Sequence, residues 1–190
     1  MTELNATRTL GAVIYKNFEI LDLFGPLEMF GNIVPGIKIV TVAEQLGPIR
    51  SAQGPKTIAE YGFSECPHLD LILLPGGIGT LEQLNNVTIL EFLKDRSLSA
   101  EVIMSVCSGS AVLAKAGLLD GRRATSNKQF FSLATSQSDK VKWIAEARWV
   151  EDGPFATSSG VSAGIDMALA IITRLFGRER AQLIANRTEY

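Results

Sequence analysis

Hydrophobic residues occur in two kinds of segment along the chain: short, mainly apolar runs and longer stretches with helical spacing. The runs occupy residues 10–15 (LGAVIY), 37–42 (IKIVTV), 69–74 (LDLILL) and 101–106 (EVIMSV). A short run of this kind is typical of a strand that is buried on both faces, since a half-exposed strand would alternate polar and apolar residues. The pattern therefore predicts four core strands.

Between these runs, apolar residues recur every three or four positions, which predicts helices. The predicted helices cover residues 18–30, 81–93, 108–116 and Ala163–Phe176. We expect Gly25-Pro26 to break the first of them, and Gly117 and Gly177 to end the third and the fourth. The apolar stripe of the last helix consists of Ile165, Ala168, Leu169, Ile172 and Phe176.

The segments outside these elements are rich in turn residues. Residues 45–63 are predicted to hold small extra strands, and residues 147–150 and 155–158 a strand pair, whereas residues 129–140 have the composition of a mobile segment. Alternation of strands and helices favours an α/β fold with a mostly parallel sheet and helices on both faces. Without a repeat or a linker, residues 1–190 are predicted to form a single domain.

Composition excludes several classes of protein. Among 190 residues, 46% are hydrophobic and 20% charged, which is typical of a globular protein and not of a disordered one. The net charge of −2 offers no basic surface for nucleic acid. The long uncharged stretch 102–114 is shorter than the ~20 residues that span a membrane. Residues 1–8 lack the apolar core of a signal peptide, so we expect a cytoplasmic protein.

The chain contains only two cysteines and one histidine. These numbers exclude a disulfide framework and the common four-ligand zinc sites, and we predict neither a metal nor a cofactor. Cys66 and His68 precede the strand at 69–74, roughly 20 Å from its carboxyl end at ~3.3 Å per residue. We interpret both as structural or surface residues, which removes the histidine as a partner for a catalytic cysteine.

Reactive groups of parallel sheets gather where strands end and helices begin. Cys107 and Ser108 follow the strand at 101–106 in such a turn, where a thiol can act as a nucleophile. The start of the next helix is expected to lower the pKa of the Cys107 thiol below its usual ~8.5. Alternatively, Cys107 is a small buried hydrophobic residue, as most free cysteines are.

Two other strand ends carry candidate groups. Gly76 and Gly77 follow the strand at 69–74, and their N–H groups either form an oxyanion hole or belong to a simple turn. Asp22 lies among apolar neighbours after the first strand, which favours a raised pKa and a role as an acid, unless it caps the helix or faces solvent. Glu28 is a second candidate acid, six residues further on.

Taken together, these segments resemble the ThiJ/PfpI superfamily. The resemblance is carried by LDLFGPLE, LILLPGG, VCSGSAVLAKAGLLDGRRAT and SSGVSAGIDMALAIITRLFG, which are distributed over nearly the whole chain. It implies a flavodoxin-like three-layer sandwich with a mostly parallel central sheet, a cysteine nucleophile elbow and a homodimer. Within the superfamily, the chain is most similar to the isocyanide hydratases and to amidotransferase-like domains of some transcription regulators.

The resemblance also implies roles for individual residues. Cys107 matches the nucleophile, Asp22 the catalytic acid, Ser108 the hydroxyl residue that follows the nucleophile, and Gly76 and Gly77 the diglycine loop. Where the family's proteases carry a histidine after the cysteine, this chain has Ser108, which disfavours peptidase activity. Where many relatives carry a histidine after the following strand, it reads TSNK at 125–128, which disfavours a glyoxalase-like activity.

The implied function is the addition of water to an isocyanide, a small-molecule substrate, giving an N-substituted formamide. In this hypothesis Cys107 forms a thioimidate, and a protonated Asp22 shares its proton with the thiolate. The alternatives are a redox-responsive stress protein whose Cys107 oxidises to a sulfinate, and a ligand-sensing domain without turnover.

Candidate pocket residues are Phe130, Phe131, Trp143 and Val161. Leu27, Met29, Phe30 and Ile33 either serve a dimer contact or, as we favour, pack on the sheet.

Overall fold

The computed structural model of the chain describes residues 7–190. The cytoplasmic expectation rests on residues 1–8, most of which therefore lie outside the described residues. The strands are β1 (Arg8–Val13), β2 (Ile37–Ala43), β3 (Gly47–Arg50), β4 (Lys56–Ala59), β5 (Tyr61–Gly62), β6 (Leu71–Leu74), β7 (Val102–Val106), β8 (Arg123–Ala124), β9 (Lys142–Trp143), β10 (Trp149–Asp152) and β11 (Phe155–Ser158). The helices are α1 (Ile20–Gly31), α2 (Thr80–Gln83), α3 (Val87–Ser97), α4 (Gly109–Lys115), α5 (Phe131–Thr135), α6 (Ala163–Phe176) and α7 (Arg178–Arg187).

Seven strands form the central sheet, in the order β10-β11-β7-β6-β1-β2-β5. All neighbours are parallel except β10 and β11, which pair antiparallel. The sheet confirms the α/β prediction and the four core strands, and β6 and β7 are buried along their whole length. The small strands expected in 45–63 are also present, as β3 to β5.

Helices cover both faces of this sheet. On one side α1 packs against α6, which also contacts β7, β11 and α7. On the other side α4 packs on β7, with α2, α3 and α5 around it. This is the three-layer arrangement of the flavodoxin-like fold, and it brings the carboxyl ends of β1, β6 and β7 to the same edge of the sheet.

The first helix is continuous, so the predicted break at Gly25-Pro26 is wrong. Pro26 lies inside α1 and removes only one backbone hydrogen bond, whereas burial of one helix face stabilises the whole element. Gly25 allows α6 to approach closely, because a Cβ at this position would lie 2.9 Å from Ile165 Cγ1. The same dipeptide that suggested a break therefore belongs to the contact between α1 and α6.

The helical structure differs from the sequence expectation at three other places. The helix predicted over 81–93 is two helices, because Asn86 accepts a hydrogen bond from Thr88 N–H and begins α3 anew. The segment 129–140, interpreted as mobile, contains α5. Helix α7 was not predicted, since only Ala181 and Ile184 of this polar segment are buried.

The apolar residues of α1 mostly face the interior. Leu27, Met29, Phe30 and the nearby Ile33 are buried in the chain, as favoured from the sequence. The large apolar side chains that α1 exposes are instead Leu21 and Phe24. Within residues 7–190, no helix has both the length and the apolar character needed to cross a bilayer.

Candidate active site

Cys107 occupies the turn between β7 and α4. Its φ angle of +57° lies in the left-handed region, which an L-residue rarely adopts, and its N–H donates to Ser158 O at 3.0 Å. The residue is 6% exposed. The sharp turn thus directs a nearly buried thiol out of the line of the strand, at the sheet edge predicted from the sequence.

Glycines allow other backbone segments to approach this turn. A Cβ on Gly160 would lie 2.5 Å from Cys107 Cβ, and one on Gly76 would lie 2.5 Å from Ser108 N. Neither position has room for a larger residue unless the backbone moves. The thiol is therefore held between the loop after β6 and the loop after β11.

Asp22 lies in the first turn of α1 and is completely buried. Its Oδ2 accepts a hydrogen bond from Gly76 N–H at 2.9 Å, whereas Oδ1 has no hydrogen-bond partner of standard geometry among residues 7–190. The pKa of Asp22 is raised to about 7, mainly by burial and to a lesser extent by the negative charge of Glu19, while the Gly76 N–H and the Cys107 thiol act in the opposite direction. The carboxyl and the thiol therefore face each other.

The pKa of the Cys107 thiol is raised to about 12, and the expectation of a lowered value is wrong. Burial is the largest cause, followed by the charge of the neighbouring Asp22. Polar groups of Ser108 and Asn127 lower the pKa without reversing this shift. Both shifts favour the protonated forms, so the pair disfavours carrying two negative charges at once.

The N–H groups of the diglycine loop bind the side chains of Asp22 and Ser108. Gly76 N–H donates to Asp22, and Gly77 N–H donates to Ser108 Oγ at 3.1 Å. Gly77 has a φ of +119°, and a Cβ there would lie 2.5 Å from Glu19 N. Both N–H groups predicted to bind an oxyanion therefore make hydrogen bonds within the protein.

A buried chain of hydroxyl groups continues from Ser108. Its Oγ lies 2.9 Å from Thr80 Oγ1, which lies 3.1 Å from the Tyr15 hydroxyl, and Tyr15 donates to Pro75 O at 2.6 Å. Burial raises the pKa of Tyr15. Sequence reasoning missed Tyr15 and Thr80, although Tyr15 ends the first apolar run and its position at that strand end was a usable signal.

A cavity of about 330 Å³ opens in front of Cys107. Its wall is mainly apolar and includes Ile78, Leu81, Phe130, Leu133 and Val161. Two of the four predicted pocket residues, Phe130 and Val161, therefore line it. The other two, Phe131 and Trp143, are not among its lining residues and pack against each other edge to face.

The polar side chains that line this cavity are Glu19, Ser108 and two residues of the segment after β8. Asn127 and Gln129 line it, and Asn127 Oδ1 accepts hydrogen bonds from Gln129 N–H at 2.9 Å and Phe130 N–H at 3.2 Å. In the sequence, the segment TSNK at 125–128 stands out only for its lack of a histidine. It places an amide beside Cys107.

The remaining candidates lie away from the site. His68 is near the amino end of β6, where its mostly exposed imidazole lies 3.4 Å from Asp70 Oδ1. Cys66 directs its thiol to Pro67 O at 3.4 Å. Glu28 is exposed and accepts from Asn32 Nδ2 at 3.3 Å. Their positions agree with the structural or surface role expected for Cys66 and His68.

Comparison with known proteins identifies relatives of this chain. The chain matches the model of the DJ-1/PfpI family over residues 11–174. It is 35% identical over 182 residues to the isonitrile hydratase of Pseudomonas putida, covering 95% of this chain and 78% of that protein. It is 30% identical to protein DJ-1 homolog A of Arabidopsis thaliana, covering 95% of this chain but only 46% of that longer protein.

A solved structure has the same fold. The ThiJ/PfpI family protein from Pseudomonas syringae superimposes with a TM-score of 0.87 at 35% sequence identity. The superposition covers 97% of this chain and 76% of that one. Sequence and fold therefore agree on the relatives of this chain.

Proposed function

The chain belongs to the DJ-1/PfpI family, and on that premise we propose that it is an isocyanide hydratase-like enzyme, a lyase that converts an isocyanide into an N-substituted formamide. The observation that carries the proposal is the buried contact between Asp22 and Cys107 at the end of an apolar cavity. The similarity to an isonitrile hydratase supports it, since isonitrile is a synonym of isocyanide.

In the first step, the sulfur attacks the terminal carbon of the isocyanide R–N≡C. As Cys107 Sγ bonds to this carbon, its proton passes to the carboxylate of Asp22, whose Oδ1 is free of other partners. Asp22 then delivers the same proton to the carbon that was attacked. The product is a thioimidate, R–N=CH–S–Cys107, and Asp22 is again a carboxylate. Asp22 therefore acts first as a base, which is the order that the two pKa values favour.

In the second step, water adds to the thioimidate carbon. Asp22 accepts a proton from this water and passes it to the nitrogen, which gives a tetrahedral R–NH–CH(OH)–S–Cys107. The C–S bond then breaks while the hydroxyl proton returns to sulfur through Asp22. The formamide R–NH–CHO leaves, and the enzyme regains its thiol. Overall one water is consumed and no electrons are exchanged.

The other site residues position this pair. Gly76 N–H holds Asp22 Oδ2, which leaves Oδ1 available for the proton of the thiol. Gly77 N–H and Thr80 fix the Ser108 hydroxyl beside Cys107. The apolar wall of the cavity suits the uncharged substituent of an isocyanide, and its size suits a substituent such as cyclohexyl.

The wild-type protein tests the proposal directly. We expect it to convert cyclohexyl isocyanide into N-cyclohexylformamide, measured by gas chromatography with mass detection. In H₂¹⁸O the product should gain one ¹⁸O, and in D₂O one deuterium should appear at the formyl carbon, because both atoms come from solvent. Rapid acid quenching should also trap an adduct on Cys107 with the added mass of one isocyanide. A purified, folded protein that forms no formamide would contradict the proposal.

The same assay separates the two alternatives. A redox-responsive protein would give no formamide and would oxidise selectively at Cys107 under mild peroxide. The raised pKa of the Cys107 thiol disfavours this role, since oxidation requires the thiolate. A ligand sensor would bind the isocyanide saturably, and neither product nor adduct would form.

We further propose that the protein is a homodimer. Leu21 and Phe24, exposed on α1, are apolar groups that a second copy would cover. The expected mass in sedimentation equilibrium is twice the 20.5 kDa of one chain. A mass near 20.5 kDa at micromolar concentration would contradict the dimer.

A further inference from the structure

The segment that follows β8 is tied to the backbone of Cys107. Ser126 Oγ donates to Cys107 O at 3.1 Å, and Thr125 N–H donates to Thr157 Oγ1 at 2.8 Å. Thr125 and Ser126 are both completely buried. The backbone next to Asn127 is therefore held in place relative to Cys107. Asn127 and Cys107 line the same cavity.

The amide of Asn127 has a defined orientation. Its Oδ1 accepts from the N–H groups of Gln129 and Phe130, and an amide nitrogen cannot replace it as their acceptor. The Nδ2 group, which can only donate, therefore points away from this turn. Hydrogen bonding within the loop thus selects which end of the amide faces the cavity, where Cys107 is the neighbouring reactive group.

We propose that Asn127 is a catalytic residue that donates an N–H hydrogen bond to Cys107 Sγ. The bond stabilises the negative charge that develops on sulfur when the thiol proton moves to Asp22, and again when the C–S bond of the tetrahedral intermediate breaks. The contact agrees with the direction in which Asn127 acts on the pKa of the thiol. The role rests on the proposed function of Cys107 as nucleophile, but the hydrogen bond itself can be tested without isocyanide.

The decisive variant is Asn127→Ser. A serine hydroxyl can still accept from the N–H groups of the turn but does not reach the sulfur, and no charge is introduced. We expect alkylation of Cys107 by iodoacetamide at pH 8.5 to be about tenfold slower than in the wild type, because a hydrogen bond to an anion is lost. Peptide mass mapping distinguishes Cys107 from Cys66. Thermal unfolding verifies that the variant is folded.

Asn127→Asp is the second variant, since it keeps the acceptor oxygen but replaces the donor by an anion. Alkylation should then be slower than in Asn127→Ser, because repulsion is added to the loss of the donor. The control is Asn186→Ser on the exposed face of α7, where the rate should equal that of the wild type. An unchanged or faster rate in folded Asn127→Ser overturns the proposal, even if Asn127→Asp is slow, since proximity alone would explain the latter.

Turnover gives an independent readout of the catalytic role. With cyclohexyl isocyanide, kcat of Asn127→Ser should fall about tenfold while KM stays within twofold, since the bond forms to sulfur and not to the substrate. A change confined to KM would overturn the catalytic role and leave Asn127 as a binding residue. If the wild type does not hydrate isocyanides, the proposed function fails, whereas the alkylation rates still decide whether the hydrogen bond exists.

Discussion

Replacing Cys107 by serine is expected to reduce the turnover of an isocyanide by ~10⁴-fold or more. The substitution changes one atom, so the packing around the turn is preserved. The serine hydroxyl is a much weaker acid than a thiol, so the transfer of its proton to Asp22 requires much more free energy. Because the proposed pathway passes through a covalent thioimidate, no parallel route remains when the sulfur is absent. The measurement is the initial rate of formamide production, together with the loss of the trapped adduct.

Cys66→Ser provides a matched control for this experiment. It makes the same chemical change at the other cysteine, which lies before β6 with its thiol directed to Pro67 O. Turnover of this variant should equal that of the wild type. Retention of more than a hundredth of the wild-type rate by Cys107→Ser would mean that the cysteine is not the nucleophile, and that Asp22 alone activates water.

The positions of Asp22 and Cys107 near one sheet edge could be predicted because they depend on local signals. The apolar runs that end before Asp22 and Cys107 identify buried strands, and the carboxyl ends of parallel strands meet at one edge. The contact between the two residues could not be read from the pattern, because β6 lies between β1 and β7 and Asp22 reaches Cys107 only through the path of α1. Sequence pattern and the topology of parallel sheets were thus enough to predict that Asp22 and Cys107 lie near one edge of the sheet, whereas their roles stay predictions.

The electrostatics of the site could not be predicted in the same way. The turn at Cys107 suggested a helix terminus that lowers the thiol pKa, but α4 is only seven residues long and the thiol is buried next to a carboxylate. Burial and a neighbouring charge depend on the tertiary structure. For the same reason, the hydrogen bond between Thr80 and Ser108 and the place of Asn127 in the cavity of Cys107 have no signature in the sequence.

Asp22→Asn should change activity and stability in opposite directions. Asparagine keeps an oxygen that accepts from Gly76 N–H, but it can neither take the thiol proton nor deliver it to carbon. We expect turnover to fall by ~10³-fold or more, within the range attributed to general acid–base catalysis and the loss of an activated nucleophile. A variant that keeps a tenth of the wild-type rate would exclude Asp22 as the proton carrier.

The stability effect follows from the raised pKa of Asp22. Folding raises this pKa from 3.8 to about 7, so the folded state favours the protonated carboxyl. The resulting stabilisation is fully present below pH 3.8 and is lost as the pH rises through 7. Above pH 8, keeping the buried carboxylate ionised costs roughly 4 kcal/mol of the free energy of unfolding, at 1.36 kcal/mol per pKa unit.

Asparagine does not ionise, and Asp22→Asn should therefore be more stable than the wild type at pH 8.5, by up to roughly 4 kcal/mol, and about equally stable at pH 4. Urea unfolding at both pH values measures this difference.

Glu28→Gln, on the exposed face of the same helix, is the control and should change neither stability nor turnover. A gain at pH 8.5 that vanishes at pH 4 would identify the buried carboxylate as a destabilising group retained for proton transfer. Equal stability at both pH values would mean that Asp22 is not held in a raised-pKa environment, and the base role of the first step would then lack its physical support.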